Sequence, residues 1–186
     1  IDGLYPLAKL LEDKLLQEKA MKWVEWTRTH QRNDGQIGPK SIVDKDRQQP
    51  PPAGAQIDMP DDWWPRMVML KILQQHYLAT GDSRVIACLT EYFRYPLSEL
   101  PTRPLHDPNN PASGSWWAAQ RGGDNLMVVL WLYNVTGDEF LLELADLIYK
   151  QTVPVTDWLG PGPLGKVARR GDRRDVRSGP AMDPFH

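Results

Sequence analysis

The sequence predicts an all-α fold built from repeated helical hairpins, in which a tight turn joins an inner helix to an outer helix. The turn Thr80-Gly81-Asp82 recurs 56 positions later as Thr136-Gly137-Asp138. Apolar residues at helical spacing flank both turns, and a pair of adjacent tryptophans precedes each unit. A unit that repeats in this way is typical of an array of αα-hairpins.

In the last hairpin, the inner helix is predicted over residues 126–134. It is apolar on almost every side, so we expect it to be buried on most of them. Gly137 can adopt the left-handed conformation that ends this helix, and Asp138 can accept hydrogen bonds from the N–H groups that open the next. The outer helix that follows has an apolar stripe made of Phe140, Leu141, Leu144 and Ile148.

The middle hairpin is predicted from an inner helix over residues 67–79 and an outer helix over 83–95. The first hairpin is a clipped copy. Residues 4–11 have the pattern of the end of an inner helix, Glu12-Asp13 takes the place of the turn, and residues 14–30 form the outer helix.

Two long connections, residues 37–60 and 96–114, lead from an outer helix to the next inner helix, whereas the short turns lead from inner to outer. If the hairpins stack in register, both connections lie at the N-termini of the inner helices, an end that we call the wide-loop end. Loops held by a rigid scaffold commonly carry function. We therefore expect any binding site at the wide-loop end.

Composition places the chain among globular proteins. It has 186 residues, of which 41% are hydrophobic and eight are tryptophan, enough for one domain or part of a larger one. The formal net charge of -2 gives no reason to expect nucleic acid. No apolar run of about 18 residues predicts a membrane span. The chain has no signal-peptide pattern, and because it starts at Ile1 we expect that an upstream part is missing.

The helical pattern is predicted to fill residues 1–159, and it dissolves beyond them. Residues 160–186 form an irregular basic segment rich in Pro, Gly and Arg, with six Lys or Arg and three Asp. Two interpretations stay open: a disordered basic tail, or a segment that is truncated or outside the natural reading frame, since a hairpin array normally ends in a capping helix.

The paired tryptophans are the first candidates for ligand contact, because aromatic rings at a pocket mouth stack on sugars or other flat apolar faces. The competing interpretation is that they are wedges between helices, since large aromatic side chains dominate core packing. For any single tryptophan the packing interpretation is favoured. Because four of them lie at one end, however, we expect at least one to contact a ligand. These residues are Trp63, Trp64, Trp116 and Trp117.

The stretch Arg121-Gly122-Gly123-Asp124-Asn125 is the more specific feature. Two glycines opening a helix cost about 2 kcal/mol of helix propensity, which is explained if the backbone there must approach something closely. The alternative is a structural Arg121–Asp124 pair with Asn125 as a helix cap. The predicted substrate-binding set is Asp62, Trp63, Trp64, Trp116, Trp117, Arg121, Asp124 and Asn125.

Other candidates have simpler interpretations. Asp34 and Gln36 are expected to belong to a plain Asp-Gly turn, and Cys88 to be a small buried hydrophobe. The histidines share no metal-binding spacing, and His76 is expected to be packed in the core. A carboxylate pair for glycoside cleavage has only Asp62 and Asp124 as inner-helix candidates, so catalytic residues stay unassigned and no metal ligand is predicted.

The motifs DGQIGP, DDWWPRMVMLKILQQHYLATGD and WWAAQRGGDNLMVVLWLYNVTGD resemble the β-L-arabinofuranosidase-type glycosidases of glycoside hydrolase family 127 and their bacterial relatives. The resemblance covers about residues 4–158. It implies part of an (α/α)6 barrel, about three of six hairpins, in an enzyme acting on a plant-type or other complex carbohydrate. It also implies a secreted or periplasmic location.

The family's chemistry is not carried over onto this chain. In characterised members, catalysis is assigned to a zinc-bound cysteine and a glutamate further along the barrel, and Cys88 does not match that cysteine. Substrate-contacting histidines of the relatives have no match either, because residues 61–68 occupy their region.

We therefore expect a fragment that contributes the substrate-binding face without the full catalytic set and is inactive alone, with its cofactor unknown. The rest of the barrel in cis, or self-association through open flanks, would complete it. The alternative is a non-catalytic helical-repeat module that binds a protein partner.

Overall fold

The computed structural model describes residues 2–38, 63–107, 109 and 116–154. These residues form seven helices and no strand, which confirms the predicted all-α class. In chain order the helices are α1 (Leu4–Leu10), α2 (Lys14–Thr29), α3 (Trp63–Thr80), α4 (Ser83–Glu99), α5 (Trp116–Gln120), α6 (Gly122–Thr136) and α7 (Phe140–Gln151).

The chain divides into two compact units, Ile1–Thr152 and Val153–His186. All seven helices belong to the first. In the second, only Val153 and Pro154 are described, so the predicted segment of residues 160–186 lies outside the described residues.

Among the described residues of the first unit, six of the helices pair into three hairpins: α1 with α2, α3 with α4, and α6 with α7. Two ring contacts show that the inner helices α3 and α5–α6 run parallel, since the paired residues are separated by nearly the same number of positions in both contacts. Trp64 meets Trp117 at 6.3 Å between ring centroids, and Tyr77 meets Trp131 at 5.5 Å. Parallel inner helices bring the N-termini of α3 and α5 to one end, as the arrangement of short and long connections predicts.

The two Thr-Gly-Asp turns share their glycine conformation but differ in their caps. Gly81 (φ 69°) and Gly137 (φ 75°) are both left-handed. Asp82 caps α4 by accepting a hydrogen bond from Arg84 N at 3.1 Å. The prediction that Asp138 caps α7 is wrong, since Glu139 holds the N-cap position in a helical conformation and α7 starts one residue later. Asp138 bonds through its backbone instead: its N donates to Thr136 Oγ1 at 3.2 Å, and its O accepts from Leu141 N at 3.1 Å.

The first hairpin turns at Glu12-Asp13, as predicted. Glu12 is the one non-glycine residue with positive φ (52°) among those described, and Asp13 caps α2 by accepting from Leu16 N at 3.0 Å. An acidic side chain suits this position because the first N–H groups of a helix have no intrahelical partner.

The second outer helix is longer than predicted. It continues through Pro96 to Glu99 instead of ending at Tyr95. Proline at this position removes one helical hydrogen bond, but its fixed φ is compatible with a helix. Leu100 N bonds back to Pro96 O at 2.9 Å, and both Tyr95 and Pro96 are buried, so packing offsets the missing bond.

The predicted burial of the last inner helix on most sides is wrong. Val128, Val129 and Leu132 of α6 are buried, but Met127 and Leu130 are each 43% exposed. In the first hairpin, α1 and its C-cap residue likewise expose a group of leucines, namely Leu7, Leu10 and Leu11. Both ends of the row of inner helices therefore present apolar side chains to solvent.

One glutamine fastens the connection after α4 to the last helix. Gln151 Oε1 accepts from Leu105 N at 2.9 Å, and Gln151 Nε2 donates to Leu100 O at 3.0 Å. The long connection therefore starts along a fixed path toward the wide-loop end. Within the described part of the chain, none of the helices has the length and apolarity that a membrane crossing requires.

Candidate functional site

Three tryptophans meet at the wide-loop end and form what we call the tryptophan cluster: Trp64, Trp116 and Trp117. The Trp64 and Trp117 rings are 6.3 Å apart and inclined by 37°, and the Trp116 and Trp117 rings are 4.9 Å apart. Trp64 is 37% and Trp117 50% exposed, so each keeps surface that a ligand could cover. The two sequence-distant tryptophan pairs thus lie together, as the predicted stacking of the hairpins requires.

Trp63 faces the core instead. It is 1% exposed, and its Nε1 donates to Arg103 O at 3.2 Å. The Arg103 guanidinium lies 4.6 Å from its ring centroid, and the Tyr95 ring lies 5.9 Å away. This placement matches the packing interpretation, and it joins α3 to the connection that follows α4.

An ion pair stands beside the tryptophan cluster at a break between two helices. Arg121 is not helical, so α5 ends before it and α6 begins after it. Its backbone N donates to Trp117 O at 3.0 Å, and its Nε donates to Asp124 Oδ2 at 2.7 Å. Both side chains are partly exposed, with 51% and 35% of their surface accessible. The predicted structural pair therefore forms, and it also presents polar groups to solvent.

The two glycines that follow have different surroundings. A Cβ on Gly122 would lie 1.9 Å from Thr152 Oγ1, whereas a Cβ on Gly123 would have nothing within 4 Å. The close backbone approach that the sequence predicts thus exists at Gly122, where the approaching group belongs to the end of α7. Asn125 is the fourth residue of α6, so its predicted role as a cap is wrong. It is 5% exposed, and its Oδ1 has no hydrogen-bond partner.

Asp62 lies outside the described residues, so its distance from Asp124 is not defined. The remaining candidates of the predicted substrate-binding set fall into an exposed and a buried group. The exposed or half-exposed group is Trp64, Trp116, Trp117, Arg121 and Asp124, and the buried group is Trp63 and Asn125.

The Asp34 turn is structural, as expected. Arg32 donates to both Asp34 and Gln36, and Gln36 is fully buried. Gln31 ties the turn to α4 by donating to Gly35 O at 2.7 Å and Cys88 O at 2.9 Å. The turn is thus part of the scaffold that supports the wide-loop end.

Arg66 is a buried polar residue that sequence reasoning missed. It is 5% exposed on α3, and its Nε donates to Ile37 O at 2.9 Å. The available signal was that Arg66 directly precedes the apolar segment MVML of the predicted inner helix. An arginine that is buried there must have hydrogen-bond partners. Arg66 holds the end of the Asp34 turn against the inner helix.

His76 lies at the opposite, tight-turn end and is packed in the core, which confirms its interpretation. Its Nδ1 is 2.6 Å from Tyr5 Oη, and its Nε2 is 3.5 Å from Asp82 Oδ2. The neutral tautomer with hydrogen on Nε2 satisfies both partners, because the Tyr5 hydroxyl then donates to Nδ1. This buried chain of contacts joins α1, α3 and the cap of α4.

Acid is expected to destabilise the fold through His76. Burial lowers the pKa of this imidazole, although the hydrogen bond to Asp82 opposes the shift. The unfolded chain, in which histidine regains its ordinary value of 6.5, then binds the proton more readily, so stability present above that value is lost as the pH falls. The pKa of Asp82 is lowered, chiefly by its hydrogen bond with Arg84, so its contribution is lost only below its ordinary value of 3.8.

Urea unfolding measures this effect. Between about pH 7 and pH 5, the unfolding free energy of the wild type should fall more steeply than that of a His76→Gln variant, which cannot take up the proton. Equal slopes in the two proteins would contradict the assignment.

Cys88 does not fit the zinc ligand of the resembled enzymes. It is 4% exposed, and burial raises the pKa of its thiol to about 11, whereas zinc binds the thiolate. Among the residues that the structure describes, no group of three or more His, Cys, Asp or Glu side chains could hold a metal ion. We therefore derive no metal-dependent step from these residues.

Comparison with models of known protein families matches most of the chain. The family model described as β-L-arabinofuranosidase, GH127 catalytic domain, matches residues 3–171. No curated protein and no solved structure matches the chain significantly. The matched range includes all seven helices, and it extends past residue 160 into the basic segment.

Proposed function

The chain belongs to the β-L-arabinofuranosidase (GH127) catalytic-domain family, and on that basis we propose that its tryptophan cluster binds a sugar unit of a plant-type or other complex carbohydrate. It carries a glycoside hydrolase domain, and its three helical hairpins are part of the (α/α)6 barrel of the family. The contact of Trp64 with Trp117 at the wide-loop end is the observation on which this proposal rests.

The proposed binding mode follows from the chemistry of the exposed groups. An indole face offers apolar surface to the C–H face of a sugar ring, and it does so with little loss of conformational freedom. The Arg121–Asp124 pair beside it offers N–H donors and a carboxylate acceptor to sugar hydroxyl groups. Trp63 and Asn125, which are buried, would support this surface from below.

We further propose that the chain supplies a substrate-binding face that is inactive alone. The structure describes three hairpins, and barrels of this family have six. The exposed apolar residues at both ends of the inner-helix row, among them Leu10 (82%) and Leu130 (43%), support cover by further barrel elements in cis or by a second copy.

The binding experiment compares three matched tryptophan variants. Tryptophan fluorescence is followed while the chain is titrated with L-arabinose and with an aryl β-L-arabinofuranoside. Trp64→Ala and Trp117→Ala should each weaken binding roughly tenfold, the scale of one aromatic contact. Trp23→Ala is the control, because Trp23 is also exposed (58%) but lies on the outer helix α2. This variant should bind the sugars as tightly as the wild type does. Equal affinity of all three variants would contradict the proposed site.

The second candidate function is a helical-repeat module that binds a protein partner through the exposed apolar ends. The leucines of α1 favour it, because contiguous exposed apolar side chains commonly mark protein contacts. Size-exclusion chromatography with light scattering discriminates here. A soluble monomer at high concentration would count against association through these ends.

A further inference from the structure

The first turn of α6 rests directly against the last turn of α7. Gly122 is buried, and a Cβ on it would lie 1.9, 2.9 and 3.0 Å from Thr152 Oγ1, Cβ and Cγ2. The Thr152 hydroxyl donates to Ile148 O at 2.8 Å, which holds its side chain in place. Thr152 has a short side chain that this hydrogen bond holds in place, so it cannot easily move aside for an added Cβ. Only glycine at position 122 allows the two helix ends to approach this closely.

A continuous set of bonds leads from this contact to the tryptophan cluster. Asp124 N donates to Arg121 O at 2.9 Å, and Arg121 Nε returns to Asp124 Oδ2 at 2.7 Å. Arg121 N donates to Trp117 O at 3.0 Å, and the Trp117 ring meets Trp64. These bonds connect the first turn of α6 to the ion pair and to the backbone of Trp117, which carries the ring.

We propose that Gly122 and Thr152 form a positioning contact that sets where Trp117 and the Arg121–Asp124 pair stand relative to Trp64. Thr152 is a positioning residue, since it acts on the binding surface through the backbone of Gly122. The consequence for sugar binding rests on the proposed function, whereas the consequence for the geometry of the tryptophan rings does not.

Neighbouring glycines provide a matched pair of variants. Gly122→Ala inserts a methyl group into Thr152, whereas Gly123→Ala inserts one into open space one residue later. Glycine and alanine differ equally in helix propensity at both positions, so the difference between the variants isolates the contact. The double variant Gly122→Ala/Thr152→Gly restores the space that the added methyl group needs.

Two measurements are made on each protein. The exciton couplet of the far-ultraviolet circular dichroism spectrum reports the geometry of the stacked indoles, and Trp64→Phe identifies the part that comes from Trp64 and Trp117. Fluorescence titration with L-arabinose and an aryl β-L-arabinofuranoside reports binding. A residue that only supported overall stability would change the melting temperature without altering either signal in the folded protein.

We expect Gly122→Ala to reduce the couplet and to weaken sugar binding roughly tenfold, because small displacements of binding groups are costly. Gly123→Ala should leave both unchanged, and the double variant should recover both. A native couplet and native affinity in folded Gly122→Ala would overturn the proposal. If Gly122→Ala does not fold, the double variant decides, and its failure to recover the couplet or to fold also overturns the proposal. A wild type that binds neither sugar would refute the proposed function, while the couplets would still test the positioning contact.

Discussion

The Trp63→Ala variant is expected to lose about 3–5 kcal/mol of unfolding free energy, out of the roughly 5–15 kcal/mol typical of a whole domain. Trp63 is 1% exposed at the start of α3, where it packs against Arg103 and Tyr95 and donates a hydrogen bond to Arg103 O. Truncation leaves a cavity and removes the hydrogen bond that joins the inner helix to the connection after α4. Urea unfolding measures the loss.

The adjacent tryptophan is the control for this prediction. Trp64 has the same side chain one position later in the same helix, but it is 37% exposed. Trp64→Ala should therefore cost no more than about 1 kcal/mol, while Trp63→Phe should fall between the two because it keeps an aromatic ring and loses the indole donor. Similar losses for Trp63→Ala and Trp64→Ala would show that the two side chains do not divide between core and surface as described.

Gly35→Ala is expected to destabilise the fold by about 3 kcal/mol or more, because two penalties add. Gly35 has a φ of 88°, which an L-residue adopts only with strain. A Cβ there would also lie 2.2 Å from the carbonyl oxygen of Glu91. That oxygen belongs to the backbone of α4, so it cannot move aside unless the helix moves. Thermal or urea unfolding measures the loss.

Gly81→Ala separates the two penalties. Gly81 has a similar φ of 69°, but a Cβ on it would meet nothing within 4 Å. Gly81→Ala should therefore lower the unfolding free energy only by the cost of the left-handed conformation, about 1–2 kcal/mol. If Gly81→Ala proves as destabilising as Gly35→Ala, then overlap with Glu91 contributes nothing, and the turn after α2 is less closely packed against α4 than the structure shows.

The hairpin architecture could be predicted because its determinants are local. Gly81 and Gly137 end their helices in the left-handed conformation that the Thr-Gly-Asp repeat predicts, and the spacing of short and long connections brought Trp64 and Trp117 to one end. The Asn33–Gly35 turn followed from the turn chemistry of Asn, Asp and Gly.

What could not be predicted depends on neighbours distant in the sequence. Trp63 and Trp64 share one helical turn, and it is Trp63 that is buried because it packs against Arg103 and Tyr95, about 30 to 40 positions away in the sequence. The group that approaches Gly122 is thirty positions away at Thr152, so its identity is visible only in the folded chain. Asp138 fails as a cap where Asp82 succeeds because α7 starts one residue later than the repeat suggests. Met127 and Leu130 are exposed because burial of an apolar face requires a neighbour that periodicity alone does not supply.

The burial of Cys88 gives the protein a built-in reporter of its own opening. It is the single cysteine of the chain, and its thiol is both covered and held in its unreactive protonated form at neutral pH. An alkylating reagent can therefore react only when α4 moves away from its neighbours. The rate of that reaction therefore measures how often the middle hairpin opens locally, without a label having been introduced beforehand.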